Sequence, residues 1–259
     1  MRKIAALLAT IAMFAAEFSS VSVALALLFL IPFTANAAIA YDTSSDLGVS
    51  GTISSSPASY SYTVTGSNPA IVVGVVAAGT TITSITWNGT ALTQITSQND
   101  TGLGGNRVTY LYALTGAASG THNIVFTYTG GSGLLRPKVS SYSGVGLTTD
   151  GSGKNEQSAT NLTVTQTTTI ANDWLVAFYR SDNSNTAVAT AGAGTTARKA
   201  DNYTAIMDSN GGLAAGANST TANFSGSPTS YNEGVQVALE PVATPAVSSS
   251  FGYFNSFWW

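Results

Sequence analysis

The chain has 259 residues, no cysteine, one histidine, 8% charged residues and a formal net charge of −3. Without cysteine there is no disulfide framework, no thiol nucleophile and no ordinary Cys/His zinc site. Without a basic footprint, a nucleic-acid partner is not expected either.

The N-terminus reads as an export leader. Arg2 and Lys3 precede an apolar stretch from Ile4 to Thr34, and Ala35-Asn36-Ala37 supplies an A-x-A cleavage site. Glu17 interrupts the stretch, and Val21 to Phe33 is an h-region by itself, so translation starting downstream of Met1 is one reading. Residues 1–37 are thus expected to be a signal peptide, forming an apolar leader helix and cut after Ala37 or Ala40. The competing expectation is an uncleaved membrane anchor. Cleavage leaves about 220 residues, enough for one large β domain or two small ones. Expected localisation is extracellular or at the cell surface of a bacterium, because small secreted eukaryotic domains are usually rich in disulfides.

Past the leader no segment has sustained helical periodicity. Short runs of Val, Ile, Thr and Tyr are bounded by Gly, Asn, Ser or Pro, which predicts strands and turns. Ser59 to Thr65 alternates, with Tyr60, Tyr62 and Val64 on one face. Ala70 to Ala78 is continuously apolar and predicts a strand covered on both sides. Thr83, Ile85 and Trp87 are expected to share a face, followed by an Asn88-Gly89 type I′ turn. Val108, Tyr110, Tyr112 and Leu114 form a stripe opposed by Thr109, Leu111 and Ala113. Ile124, Phe126 and Tyr128 repeat the pattern, and Val139 to Tyr142 ends the first half. Gly144 to Ser158, glycine-rich and polar, reads as a crossover loop or linker.

The second half follows the same order. Asn161 to Thr169 alternates, Asp173 to Tyr179 is a second buried run, and Glu233 to Pro241 closes the domain. The glycine and aromatic placement of Gly116–Gly130 is echoed in Gly212–Gly226, which suggests two similar half-units, 41–145 and 158–242. The expected fold is all-β: an antiparallel two-sheet sandwich, jelly-roll-like, spanning 38–242. Two tandem Ig-like sandwiches joined near Thr148–Ser158 are the alternative.

Few residues offer chemistry. His122, the lone histidine, shares the face of Ile124 and Phe126 and reads as a packing residue, not a general base. Paired carboxylates could serve a glycosidase without histidine, but Glu233 and Glu240 fall on opposite faces of the last strand, and Glu156 lies in the polar stretch. The oxygen-rich segments Asp150–Glu156 and Asp182–Asn185 are calcium candidates, although Asp and Asn also favour turns for local reasons. Trp87 and Trp174 read as core; Tyr203 and Tyr231 are the aromatic residues expected to be exposed to a sugar. Six N-x-[ST] sequons begin at Asn88, Asn99, Asn161, Asn202, Asn218 and Asn223, as many as this Ser/Thr/Asn-rich composition produces by chance. No catalytic, cofactor or metal residue is therefore assigned, and no enzymatic activity is expected.

The C-terminus differs in character. Residues 243–250 read as a linker, and 251–259 form an aromatic tail in which Phe251, Tyr253, Phe257 and Trp259 share one face of an extended chain. So apolar a segment is expected to be covered: by its own domain, by another copy or surface protein, or by a membrane interface. A terminal aromatic also ends outer-membrane barrel strands, but the lipid-facing alternation of such barrels is missing.

The combination Ile85-Thr86-Trp87-Asn88-Gly89-Thr90-Ala91-Leu92, Arg107 to Leu114, and Ser140-Ser141-Tyr142-Ser143-Gly144-Val145 resembles β-sandwich domains of bacterial secreted and cell-surface proteins and of some phage structural proteins. The likeness is one of pattern from about Tyr41 to Val242. It implies a surface-displayed module and carries no catalytic residues. The functional expectation is a non-catalytic structural or adhesion protein. A carbohydrate-binding, lectin-like module is the alternative, followed by an outer-membrane barrel or a glycoside hydrolase.

Overall fold

The computed structural model describes residues 38–47, 51–52, 55–102, 106–181, 189–225 and 231–243. The leader, the Asp182–Asn185 calcium candidate and the aromatic tail lie outside these residues. Residues 36–242 form one compact unit. Its strands are β1 (Ala40–Ser45), β2 (Gly51–Thr52), β3 (Ala58–Val64), β4 (Ala70–Trp87), β5 (Thr90–Ala91), β6 (Thr93–Asn99), β7 (Arg107–Thr115) and β8 (Gly120–Ser143) in the first half. The second half contains β9 (Val145–Gln157), β10 (Asn161–Thr168), β11 (Trp174–Arg180), β12 (Ala189–Ala191), β13 (Thr196–Ala200), β14 (Thr204–Asp208), β15 (Gly216–Phe224) and β16 (Asn232–Pro241). All pairings are antiparallel, and the sheets stay open. The expected all-β sandwich is what the sequence builds.

It is a deep sandwich. Sheet 1 runs β1-β8-β4-β7-β6, with β3 and β2 also on β8 and β5 on β4. The two long strands bend together. Ala70–Ala78 of β4 pairs with Leu134–Tyr142 of β8, and Thr80–Trp87 pairs with Ile124–Gly130 after a register shift. Gly79 (φ 65) and Gly130 (φ 111) sit at this bend. A Cβ on Gly130 would lie 2.8 Å from the Gly79 carbonyl, so only bare backbones can cross there. The sheet thereby folds over itself and closes a core of Ile71, Val73, Val75 and Ala77 against Ile85, Trp87, Ile124 and Phe126.

Sheet 2 runs β13-β14-β11-β16-β9, and sheet 3 runs β10-β15-β12. Sheets 2 and 3 enclose Leu162, Val164, Ala177, Tyr179, Met207, Ala222 and Phe224. Sheet 2 uses its other face on sheet 1, where Val72, Val76, Leu111 and Tyr142 meet Trp174, Val176, Phe178, Val235 and Val237. The apolar runs of β4 and β11 are thus buried on both faces, which is why they show no alternation. Gly74 belongs to this contact: a Cβ there would stand 2.1 Å from the Phe178 ring. The five-strand orders match position by position, β1-β8-β4-β7-β6 against β9-β16-β11-β14-β13. Two equivalent sheets pack face to face, and each carries an outer layer on its far side.

Three expectations are corrected. Gly144 to Ser158 is no loop or linker, because Val145–Gln157 is edge strand β9, paired along β16. An edge strand needs no apolar alternation, and Gly153 is required by close approach, its Cβ position lying 2.7 Å from the Thr165 carbonyl. Thr83 does not share the face of Ile85 and Trp87; the register shift between Ile82 and Ser84 turns it outward and puts Ile82 in the core. Tyr203 is buried rather than exposed, with the Arg136 guanidinium 4.3 Å over its ring. Tyr231, by contrast, is exposed. Asn88 (φ 48) and Gly89 (φ 79) both take the left-handed values that the expected turn requires.

Candidate functional site: an ion cluster between two sheets

Charge is distributed unevenly. The segments of the outer layers, 55–64, 80–91, 116–130, 158–172 and 213–225, contain no Asp, Glu, Lys or Arg. The charged residues among the described ones belong to the two central sheets and the turns that join them.

The densest group centres on Arg180, which is fully buried at the end of β11. Arg180, Glu233 and Glu156 stand side by side on β11, β16 and β9, fixed by the pairings Arg180↔Glu233 and Glu233↔Glu156. Asp100 reaches in from sheet 1, just after β6. Arg180 donates from Nη1 and Nη2 to Asp100 Oδ2 at 3.0 and 2.8 Å, and its Nη1 is 3.2 Å from Glu233 Oε1. The Thr109 hydroxyl on β7 donates to Glu233 Oε2. Glu156 accepts from the Thr101 amide (2.8 Å), the Thr101 hydroxyl (3.0 Å) and the Gln98 amide nitrogen (3.0 Å). Burial pushes the Glu233 carboxyl up to about 7, with Asp100 and Glu156 adding to the rise against the opposing pull of Arg180 and Thr109.

One oxygen from each of Asp100, Glu156 and Glu233 lies within 4.8 Å of the others. Oxygens at that spacing suit a hard cation, and two carboxyls with one pushed toward neutral pH are also what acid–base hydrolysis uses. The arrangement favours neither. The charge between Asp100 and Glu233 is the Arg180 guanidinium itself, and Asp100 and Glu233 are both fully buried. Chemically the group is an ion clamp joining sheet 1 to sheet 2.

A second clamp repeats the theme at the other end of the interface. Arg198 Nε lies 2.6 Å from Asp208 Oδ2, which also accepts the buried Tyr142 hydroxyl at 2.9 Å. The Arg198 guanidinium stacks 4.1 Å over Tyr41. Between the two, fully buried Lys138 on β8 pairs with Asp201, beside Thr204 of β14, at 2.6 Å.

The remaining sequence candidates are placed as follows. His122 lies edge-on to Trp87, with ring centroids 5.2 Å apart, and its Nε2 is 3.2 Å from the Ser119 carbonyl. It lines a shallow hollow with Asn88, Gly89 and Asn123. Val235 and Val237, in step with Glu233, face sheet 1, while Gln236, in step with Glu240, bonds Gln166 of sheet 3. The two glutamates therefore do face opposite ways. Asp150 sits on β9, where its carboxylate accepts the Thr169 and Ile170 amides and the Thr169 hydroxyl. Sequence reasoning missed Arg180 and Asp100. The available signal was a single arginine closing the run Trp174-Leu175-Val176-Ala177-Phe178-Tyr179, since a cation buried there must have an acid partner.

No protein-family model matches the chain, and no curated protein sequence does.

Proposed function

We propose that the protein is an exported, surface-displayed structural or adhesion module without catalytic activity. It meets its surroundings through its outer layers and associates further through the aromatic tail. The observation that carries this reading is the separation of charge: ions tie the central sheets together, and both outer layers present only uncharged groups. On sheet 3 these groups form an in-register ladder. Asn161 pairs with Asn223, Thr163 with Thr221 and Thr165 with Ser219. The Asn161 amide donates to Asn223 at 2.8 Å, and the Thr163 and Thr221 hydroxyls are 2.9 Å apart. Threonine is stiff at χ1, so such a face is ordered before contact. Hydroxyl and amide groups are also what a neutral glycan would bond, which supports the carbohydrate-binding alternative.

The test is adhesion of cells displaying the full chain to abiotic and glycan-coated surfaces between low and high salt. The reading expects binding that salt leaves unchanged and that the double variant Thr165→Glu, Ser219→Glu abolishes while the protein remains displayed. Saturable binding to one defined sugar would favour the lectin alternative. Polysaccharide cleavage lost in Glu233→Gln would overturn the non-enzymatic reading.

A further inference from the structure

Among the described residues, Arg180, Arg198 and Lys138 neutralise the buried acids of the central sheets, with one exception. Asp173, immediately before β11, has no exposed surface; no amide, hydroxyl or base donates to either carboxylate oxygen, and the group within hydrogen-bonding reach of it is the Asp150 carboxyl. The groups that bear on it electrostatically are acids, Asp150 and Glu240. The topology explains the convergence. Trp174 pairs with Leu239 and Leu239 with Thr149, so Asp173, Glu240 and Asp150 lie at one end of three neighbouring strands. All three are on the side of sheet 2 that faces sheet 3. Asp173 is in step with Leu175 and Ala177, Glu240 with Gln236, and Asp150 bonds the turn after β10. Two carboxyls in contact can share one proton, but with no base beside them among the described residues the pair still carries a negative charge that no side chain offsets.

We propose that Asp150 and Asp173, with the Glu240 charge adding to the local negative potential, bind a divalent cation of the calcium type where β9, the start of β11 and the turn after β10 meet. Carboxylate and hydroxyl oxygens are the ligands available, and they suit a hard cation. Calcium fits better than magnesium, because it tolerates irregular coordination and completes its shell with water, whereas magnesium demands near-ideal octahedral geometry. The site differs from the expected loop of consecutive oxygens at Asp150–Glu156. Residues alternate faces along β9, so Asp150 is joined by residues distant in sequence. Bound there, the ion would fasten β9 and the turn after β10 to the start of β11.

The test is thermal melting of the full chain, stripped with EDTA and titrated with calcium chloride near pH 7.5, in parallel with magnesium chloride. The expected result is a saturable rise in Tm of several degrees with calcium and a smaller one with magnesium. Asp173→Asn should lose that rise while melting no lower than the stripped parent, because it removes an unpaired charge. Glu156→Gln, in the Arg180 cluster, should keep it. Absence of a saturable calcium effect, an equal effect in Asp173→Asn, or its loss in Glu156→Gln would each overturn the proposal. If Asp173→Asn fails to fold, Asp150→Asn is read by the same criteria.

Discussion

The interface between sheets 1 and 2 and the outer faces of the molecule are built from the same short-strand vocabulary but solve different problems. At the interface, apolar residues surround a few ions that are paired with opposite charges: Arg180 with Asp100 and Glu233, Arg198 with Asp208. Buried pairs of this kind add little net stability compared with an apolar replacement, but breaking one is costly. They make the interface intolerant of sliding or substitution. On the outer faces, hydroxyls and amides bond one another across strands and remain open to water. A surface so built has little to lose from a substitution and little response to salt. This chain uses its few charges to fix how two equivalent sheets sit together, not to decorate the exterior.

The comparison breaks most sharply at Arg180. Arg180→Ala strands two buried carboxylates and should lower unfolding free energy by about 3–5 kcal/mol, measured by urea denaturation. A loss below about 0.5 kcal/mol would mean the clamp is incidental.

Next comes pH. The Glu233 carboxyl titrates near 4.5 when unperturbed and near 7 in the fold. Between those values the folded chain keeps a proton that the unfolded chain has released, so stability falls as pH rises through this window. The effect is at most about 3 kcal/mol. Asp42 and Asp201 act oppositely. Burial raises them, but hydrogen bonds from Thr65 and Ser141 to Asp42, and from Lys138 and Thr204 to Asp201, hold both below the usual carboxylate value. Their contribution disappears as pH falls below about 4. Stability should therefore peak in mild acid, and melting of Glu233→Gln across pH 4.5–7 should show a flatter slope.

Packing gives a smaller contrast. Gly74→Ala forces a methyl into the Phe178 ring and should cost about 1–3 kcal/mol. Gly211→Ala, with no neighbouring atom within 4 Å, should change stability by less than about 0.5 kcal/mol. The smallest effect is expected at Thr165→Lys on the exposed ladder, within about 0.5 kcal/mol. A large loss there would show that the outer layer is under the same constraint as the interface.

Most of the strand layout was legible in the sequence, because alternation and doubly buried runs are written locally. Tyr60-Ser61-Tyr62-Thr63-Val64 shows which face is buried, and Ala70 to Ala77 shows that both are. Strand β9 was illegible. Its register comes from β16, and Gly153 is there to let β10 approach. Thr83 was misplaced because a register shift leaves no composition signal. The ion clamp was only half legible. A buried arginine implies an acid, but Asp100 lies 80 positions away from Arg180, and no local pattern connects them. Asp173 was read only as the first residue of a buried run, since its isolation from any base exists only in three dimensions.

The sheet 1–sheet 2 interface should make one cooperative structure of the two halves, which equilibrium urea unfolding of two single-reporter chains can decide. Both carry Trp258→Phe and Trp259→Phe. One retains Trp87, in the folded-over core of sheet 1, and the other retains Trp174, in the shared core. Each chain should show one transition, with the midpoint seen by fluorescence coinciding with that seen by circular dichroism. Midpoints that separate within either chain would mean that the two halves unfold independently.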